Sequence, residues 1–126
     1  MLVALDHVNV RTPNLSRMIR FYCDVLGMTT GPRPAFSFNG AWLYAGASPV
    51  LHLVEIDEQP RPEGALRLEH FAFSAKGLAE FVARLSALGV EHRIGVLPTY
   101  GTRQVNLRDP DGNRLHVDFS HEEPLP

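Results

Sequence analysis

The chain repeats itself once, and this repeat limits what it can fold into more than any other feature of the sequence. Leu5-Asp6-His7-Val8-Asn9-Val10 returns 63 positions later as Leu68-Glu69-His70-Phe71-Ala72-Phe73, keeping a Leu, an acid, a His and an apolar residue in order. Leu26-Gly27-Met28 returns as Leu88-Gly89-Val90, and Val50-Leu51-His52-Leu53 as Arg114-Leu115-His116-Val117. A period of this length marks one supersecondary unit that cannot bury its own apolar face and needs a second copy or another chain to cover it.

Both halves share one grammar. In the opening segment Val8 and Val10 point one way and Leu5, His7 and Asn9 the other, the period-two signature of a strand. After Thr12-Pro13-Asn14, with Asn14 as N-cap, apolar residues at Leu15, Met18, Ile19, Tyr22, Val25 and Leu26 trace one helix face, and Gly27 stands where a helix C′ glycine belongs. The second half answers with Leu78, Phe81, Val82, Leu85 and Leu88, ending at Gly89. Strand-like runs follow at Phe36 to Phe38, Ala41 to Ala45 and Val50 to Glu55, then at Arg103 to Arg108 and Arg114 to Phe119, with His92 to Gly95 a weaker candidate. Asp109-Pro110-Asp111-Gly112-Asn113 predicts a hairpin turn between the last two.

The pattern predicts an α+β fold of two βαβββ modules whose sheets curl into a cup. At 126 residues the chain has the size of one domain, divided into module one (1–58), a linker (59–65), module two (66–120) and a loose tail (121–126). A formal charge of −2 gives no basic field for nucleic acid or an anionic membrane surface. Neither a signal peptide nor a membrane-spanning run is evident, and the single Cys23, in a helical context, reads as a structural thiol in a reducing compartment; a cytoplasmic protein is expected.

Four of the six histidines occupy repeat-related positions, His7 and His70 on the opening strands and His52 and His116 on the closing ones. In each strand the alternate residues are the apolar ones, so all four imidazoles are expected on the cup face. Neutral imidazole is the commonest borderline ligand for divalent metals and adds no buried charge. The reading is therefore a metal centre of His7, His52, His70 and His116, with zinc, nickel, iron(II) or manganese as the ion. Asp118, two residues beyond His116 on the same face, is placed to orient that imidazole or to act as a catalytic base. Tyr100, Arg103, Gln104 and Asn106 come from the loop and strand before the hairpin and could hold an anionic or oxygen-rich small-molecule substrate.

Taken together, Leu5 to Val10, Arg20-Phe21-Tyr22-Cys23-Asp24-Val25-Leu26-Gly27-Met28, Leu68 to Phe73 and Leu107-Arg108-Asp109-Pro110-Asp111-Gly112-Asn113-Arg114-Leu115 resemble the vicinal oxygen chelate superfamily of glyoxalases, bleomycin-resistance proteins and extradiol dioxygenases. The resemblance spans essentially the whole chain. It implies metal ligands on the first and last strands of the modules, which maps onto the four histidines above, and it implies a homodimer, for which Trp42 and Tyr44 offer apolar surface. Glyoxalase I enzymes carry an acid at the positions of His52 and His116, and extradiol dioxygenases and fosfomycin-resistance transferases carry a Glu where His116 stands. This chain has no carboxylate at either place, so the resemblance implies a metal used as Lewis acid or O₂ site in a lyase or dioxygenase rather than a ligand-borne proton shuttle. The alternative from another class is a drug-sequestering binding protein of the bleomycin-resistance type.

Overall fold

A computed structural model describes residues 1, 4–59 and 68–126. The chain divides into two compact units, Met1–Arg61 and Pro62–Pro126, each an α+β module built around a four-stranded mixed sheet. Apart from Gln59, the expected linker lies outside the described residues up to its end.

The first unit runs β1 (Val8–Thr12), α1 (Leu15–Arg20) continued by a π-type turn (Phe21–Val25), β2 (Thr29–Gly31), β3 (Gly40–Ala45) and β4 (Ser48–Glu55), in the spatial order β1-β4-β3-β2. β1 lies parallel to β4, with Val8 opposite Leu51 and Val10 opposite Leu53, and the other neighbours are antiparallel. Alternation does the positioning. Ala41, Leu43, Leu51 and Leu53 are buried, together with Met18, Tyr22 and Val25 of the helical segment, while Trp42 and His52 project from the opposite face of their strands. Burying a Leu-sized side chain stabilises by roughly 1.5–3 kcal/mol, so this row is what holds the helix to the sheet.

The second unit repeats the design with β5 (Phe71–Ser74), α2 (Leu78–Ala87), β6 (His92–Val96), β7 (Arg103–Arg108) and β8 (Arg114–Phe119), ordered β5-β8-β7-β6. Leu78 and Leu85 of α2, Val105 and Leu107 of β7, and Leu115, Val117 and Phe119 of β8 form its core. α2 ends as the glycine predicts: Gly89 takes φ 66°, its N–H meets the Ser86 carbonyl, and Val90 N–H reaches back to Leu85. Gly27 ends the first helical segment in the same way at φ 74°, but Met28 N–H reaches one residue further back, to Tyr22, because the π-type turn inserts an extra residue.

Three expectations differ from the structure. Phe36 to Phe38 forms no strand; β2 is Thr29–Gly31, paired with Tyr44 to Trp42. Pro32 and Pro34 lack the N–H groups that would carry β2 past Gly31, and beyond them Phe36 N–H turns back to the Pro34 carbonyl while Phe36 and Phe38 stack at 4.8 Å, with the Arg33 guanidinium 5.1 and 5.5 Å from their rings. The opening strands start later than the alternation suggests, so His7 and His70 precede β1 and β5 rather than lying within them.

The tail is not loose either. Glycine at the N-cap of α2 offers no side chain to the helix start, and the Glu123 carboxylate takes that role, accepting from Leu78 N–H at 2.6 Å and Gly77 N–H at 3.2 Å. A carboxylate there satisfies orphan donors and opposes the helix dipole. Glu123→Ala is expected to destabilise the protein by about 1–2 kcal/mol in urea unfolding, with Glu123→Gln intermediate. An unchanged midpoint in both variants would show the contact to be energetically idle.

Candidate metal and substrate site

In the second unit the side chains facing away from α2 form a polar surface. In-register pairing places Ala72, His116, Asn106 and Arg93 in one row across β5, β8, β7 and β6, and Ser74, Asp118, Gln104 and Gly95 in the next. His70, just before β5, joins them: its ring lies 4.8 Å from that of His116, tilted by 44°. A depression of about 730 Å³ opens on this surface, with Glu69, His70, Arg93, Asn106, Arg114 and His116 among its walls. That size suits a small-molecule ligand.

Three of the four repeat-related histidines share one hydrogen-bonding arrangement. His7 Nδ1–H donates to the Asp6 carboxylate at 2.6 Å, His116 Nδ1–H donates to Asp118 at 2.6 Å, and His70 Nδ1–H makes a short bond to Glu69. An ionised acid on Nδ1 fixes the tautomer and leaves the Nε2 lone pair free, the arrangement usual behind a metal-bound imidazole. Residues 6 and 7, or 69 and 70, would diverge in a regular strand; they meet because they precede β1 and β5. His116 and Asp118 meet because they are two apart within β8. The hydrogen bond from His70 holds the Glu69 carboxyl below the ordinary carboxylate range, helped by Arg114, whose Nη1 lies 2.5 Å from it.

His52 differs. Its Nε2–H donates to the Pro49 carbonyl at 2.9 Å, and its ring is sandwiched between His7 at 3.9 Å and Trp42 at 4.0 Å, both nearly parallel to it. The residue is only 8% exposed. Burial, seconded by the neighbouring His7, pushes its pKa down, so it sits as a neutral ring whose remaining lone pair is on Nδ1. In chemical terms His7 in the first unit, and His70 and His116 in the second, each suit ligation of a divalent ion through Nε2, and His52 suits packing behind His7. Within the described residues no three His, Cys, Asp or Glu side chains gather as a ready-made ligand group.

The remaining candidates separate. Asn106 lies directly across the ladder from His116, on the polar face. Arg103 stands at the start of β7 in the alternate set with Val105 and Leu107, and its guanidinium donates to the carbonyls of Gly101 and Glu123, which ties the tail to the sheet. Tyr100 is 74% exposed in the loop between β6 and β7. Trp42 covers His52, and Tyr44 donates its hydroxyl to the Pro32 carbonyl. Sequence reasoning left Asp6 and Glu69 without a role, although the acid before each opening histidine was the signal, and it passed over Arg93, whose place appears only once the β6–β7 register is known.

Among the described residues no helix is long and apolar enough to cross a membrane. No curated protein of known function matches the sequence significantly. Solved structures do match. A glyoxalase family protein from Enterococcus faecalis is 26% identical, with a TM-score of 0.70 over 91% of this chain and 96% of its own. A lactoylglutathione lyase from Agrobacterium tumefaciens is 20% identical (TM-score 0.68; 94% and 95% covered), and the fosfomycin resistance protein FosX from Listeria monocytogenes is 17% identical (TM-score 0.71; 95% of each). At those last identities the likeness is one of fold. A family model, however, matches residues 4–117, both halves of the repeat, and on that ground the chain belongs to the glyoxalase/bleomycin resistance protein/dioxygenase superfamily.

Proposed function

We propose that the protein is a metal-dependent enzyme of the glyoxalase or dioxygenase type, a homodimer acting on a small oxygen-rich substrate, with His70 and His116 as imidazole ligands in the second unit and His7 in the corresponding role in the first. The observation that carries this reading is the acid on each Nδ1, because it leaves three Nε2 lone pairs in the ligating tautomer. A bound divalent ion would supply Lewis acidity toward adjacent substrate oxygens. The chain's own groups do the rest: Asp118, Glu69 and Asp6 hold the rings in orientation, Asn106 offers an amide beside His116 for a substrate oxygen, and His52 and Trp42 support the face of His7.

The absence of a carboxylate among these three ligands separates the site from relatives that use a ligating Glu as base. With Nδ1 hydrogen-bonded and Nε2 given to the ion, none of the three imidazoles is a free base, so the chemistry best supported is stabilisation of a developing oxyanion. Elemental analysis of protein purified without a histidine tag or added metal tests the proposal. Stoichiometric metal is expected in the wild type and in His52→Ala, and its loss in His70→Ala, whose fold is kept by Phe71 and Phe73. Metal retained in His70→Ala, or a wild type that takes up none, would remove the metal centre and favour a metal-free binding protein.

A further inference from the structure

Of the three arginines on the second unit's polar face, two have partners. Arg114 is paired with Glu69. Arg108 donates from Nη1 to the Gly112 carbonyl at 2.8 Å. Arg93 is exposed on the wall of the same depression, and among the described residues no acid or carbonyl holds its guanidinium. An arginine with unspent donors, on a wall shared with two imidazoles and an amide, is an arrangement for an anion.

The register gives the spacing. Arg93, Asn106 and His116 lie directly opposite one another on three adjacent strands, β6, β7 and β8. Strands are about 4.8 Å apart, so the Arg93 and His116 backbones are separated by about 10 Å, with the Asn106 amide halfway. A molecule of a few carbons can therefore place an oxyanion at Arg93, an oxygen at Asn106 and its remaining oxygens at the His116 end.

We propose that Arg93 is the substrate-charge-recognising residue of this site, and that the substrate class is a small acid carrying a carboxylate or phosphoryl group a few bonds from its vicinal oxygens. The inference uses the proposed function for the role of the His116 end, while the anion subsite itself stands on the Arg93–Asn106–His116 row. Bidentate capture by a planar guanidinium would fix orientation as well as charge, which is what a substrate with two kinds of oxygen requires.

The test is titration of the full-length, metal-free protein, followed by amide and arginine side-chain NMR, with malate, phosphoglycolate and the neutral malamide. Binding of at least one acid, weakening as salt is added, with little binding of malamide, is expected. Which acid binds more tightly distinguishes a carboxylate from a phosphoryl group. Arg93→Ala should weaken the acid at least tenfold and Arg93→Lys less, because Lys keeps the charge and loses the fork. Malamide binding as tightly as the acids, no binding of either acid, or wild-type affinity in Arg93→Ala would overturn the assignment. Metal content separates the two readings: Arg93-dependent acid binding in a protein that takes up no metal keeps the subsite and discards the metal centre, whereas normal metal uptake without acid binding does the reverse.

Discussion

Replacing His116 with Leu is expected to lower affinity for a divalent ion by about two orders of magnitude or more, while His116→Glu keeps most of it. Second-sphere losses alone cost about 10–100-fold at metal sites, and Leu removes both the ligand and the hydrogen bond through which Asp118 acts. Glu returns an oxygen donor, and with it a possible base, to the position where the resemblance places one. The exchange has a cost. Without metal, Glu at 116 would face Asp118 across two residues of one strand, two carboxylates in place of an acid and its donor, so the metal-free His116→Glu protein should be less stable than wild type and should recover stability on adding the ion. Calorimetric titration of metal-free protein with zinc, nickel, iron(II) and manganese compares the three forms. Equal affinities throughout would show that His116 does not ligate.

Asp109→Ala should have the largest effect on stability, about 2–4 kcal/mol. Asp109 is 5% exposed and organises the whole β7–β8 turn: one oxygen accepts from Asp111 N–H at 3.0 Å and Asn113 N–H at 2.9 Å, the other from the Asn113 amide at 2.8 Å. Hydrogen bonds to a charged acceptor contribute about 1.5–3 kcal/mol, and buried donors left without one cost about 1–3 kcal/mol each. Asp109→Asn discriminates between charge and shape. Its oxygen can still serve the two backbone donors, but its NH₂ would meet the NH₂ of Asn113, so it should fall between alanine and wild type in urea unfolding. A substitution as mild as a surface change would mean that Pro110 and Gly112 alone close the turn. The turn also sets the register that puts Asn106 opposite His116, so Asp109→Ala should blur the site along with the fold.

What could be read in the sequence was local or periodic. The repeat, both helices with their C′ glycines, the Asp109–Asn113 hairpin and the apolar face of every long strand follow from spacing, because helices and strands impose periods of 3.6 and 2 on side-chain direction. β2 was hidden because Thr29-Thr30-Gly31 has no apolar alternation, and the two phenylalanines of Phe36 to Phe38 drew the assignment to a segment that joins no ladder. The Glu123 contact joins residues 45 apart, beyond any local signal. At the site, alternation could assign faces to the histidines but not ring partners. That His52 spends its Nε2 on Pro49 while His116 keeps its own depends on a backbone carbonyl in one case and a carboxylate in the other. Arg103 and Asn106 lie three residues apart on β7 and so point to opposite faces, a distinction already available from the count.

The borrowed cap on α2 bears on how far the duplication still counts as one. In the first half no distant acid among the described residues reaches the helix start, and the turn before it is held locally, with the Thr12 hydroxyl accepting from the N–H of Asn14 at 2.9 Å. In the second it depends on an acid that arrives after the final strand. The halves are thus copies in backbone plan but not interchangeable parts: a chimaera carrying the first module twice would bring its own helix start along, whereas one carrying the second twice would need residues through 123 in each copy. Selection acting on this protein therefore sees Glu123 as part of the second module's folding unit.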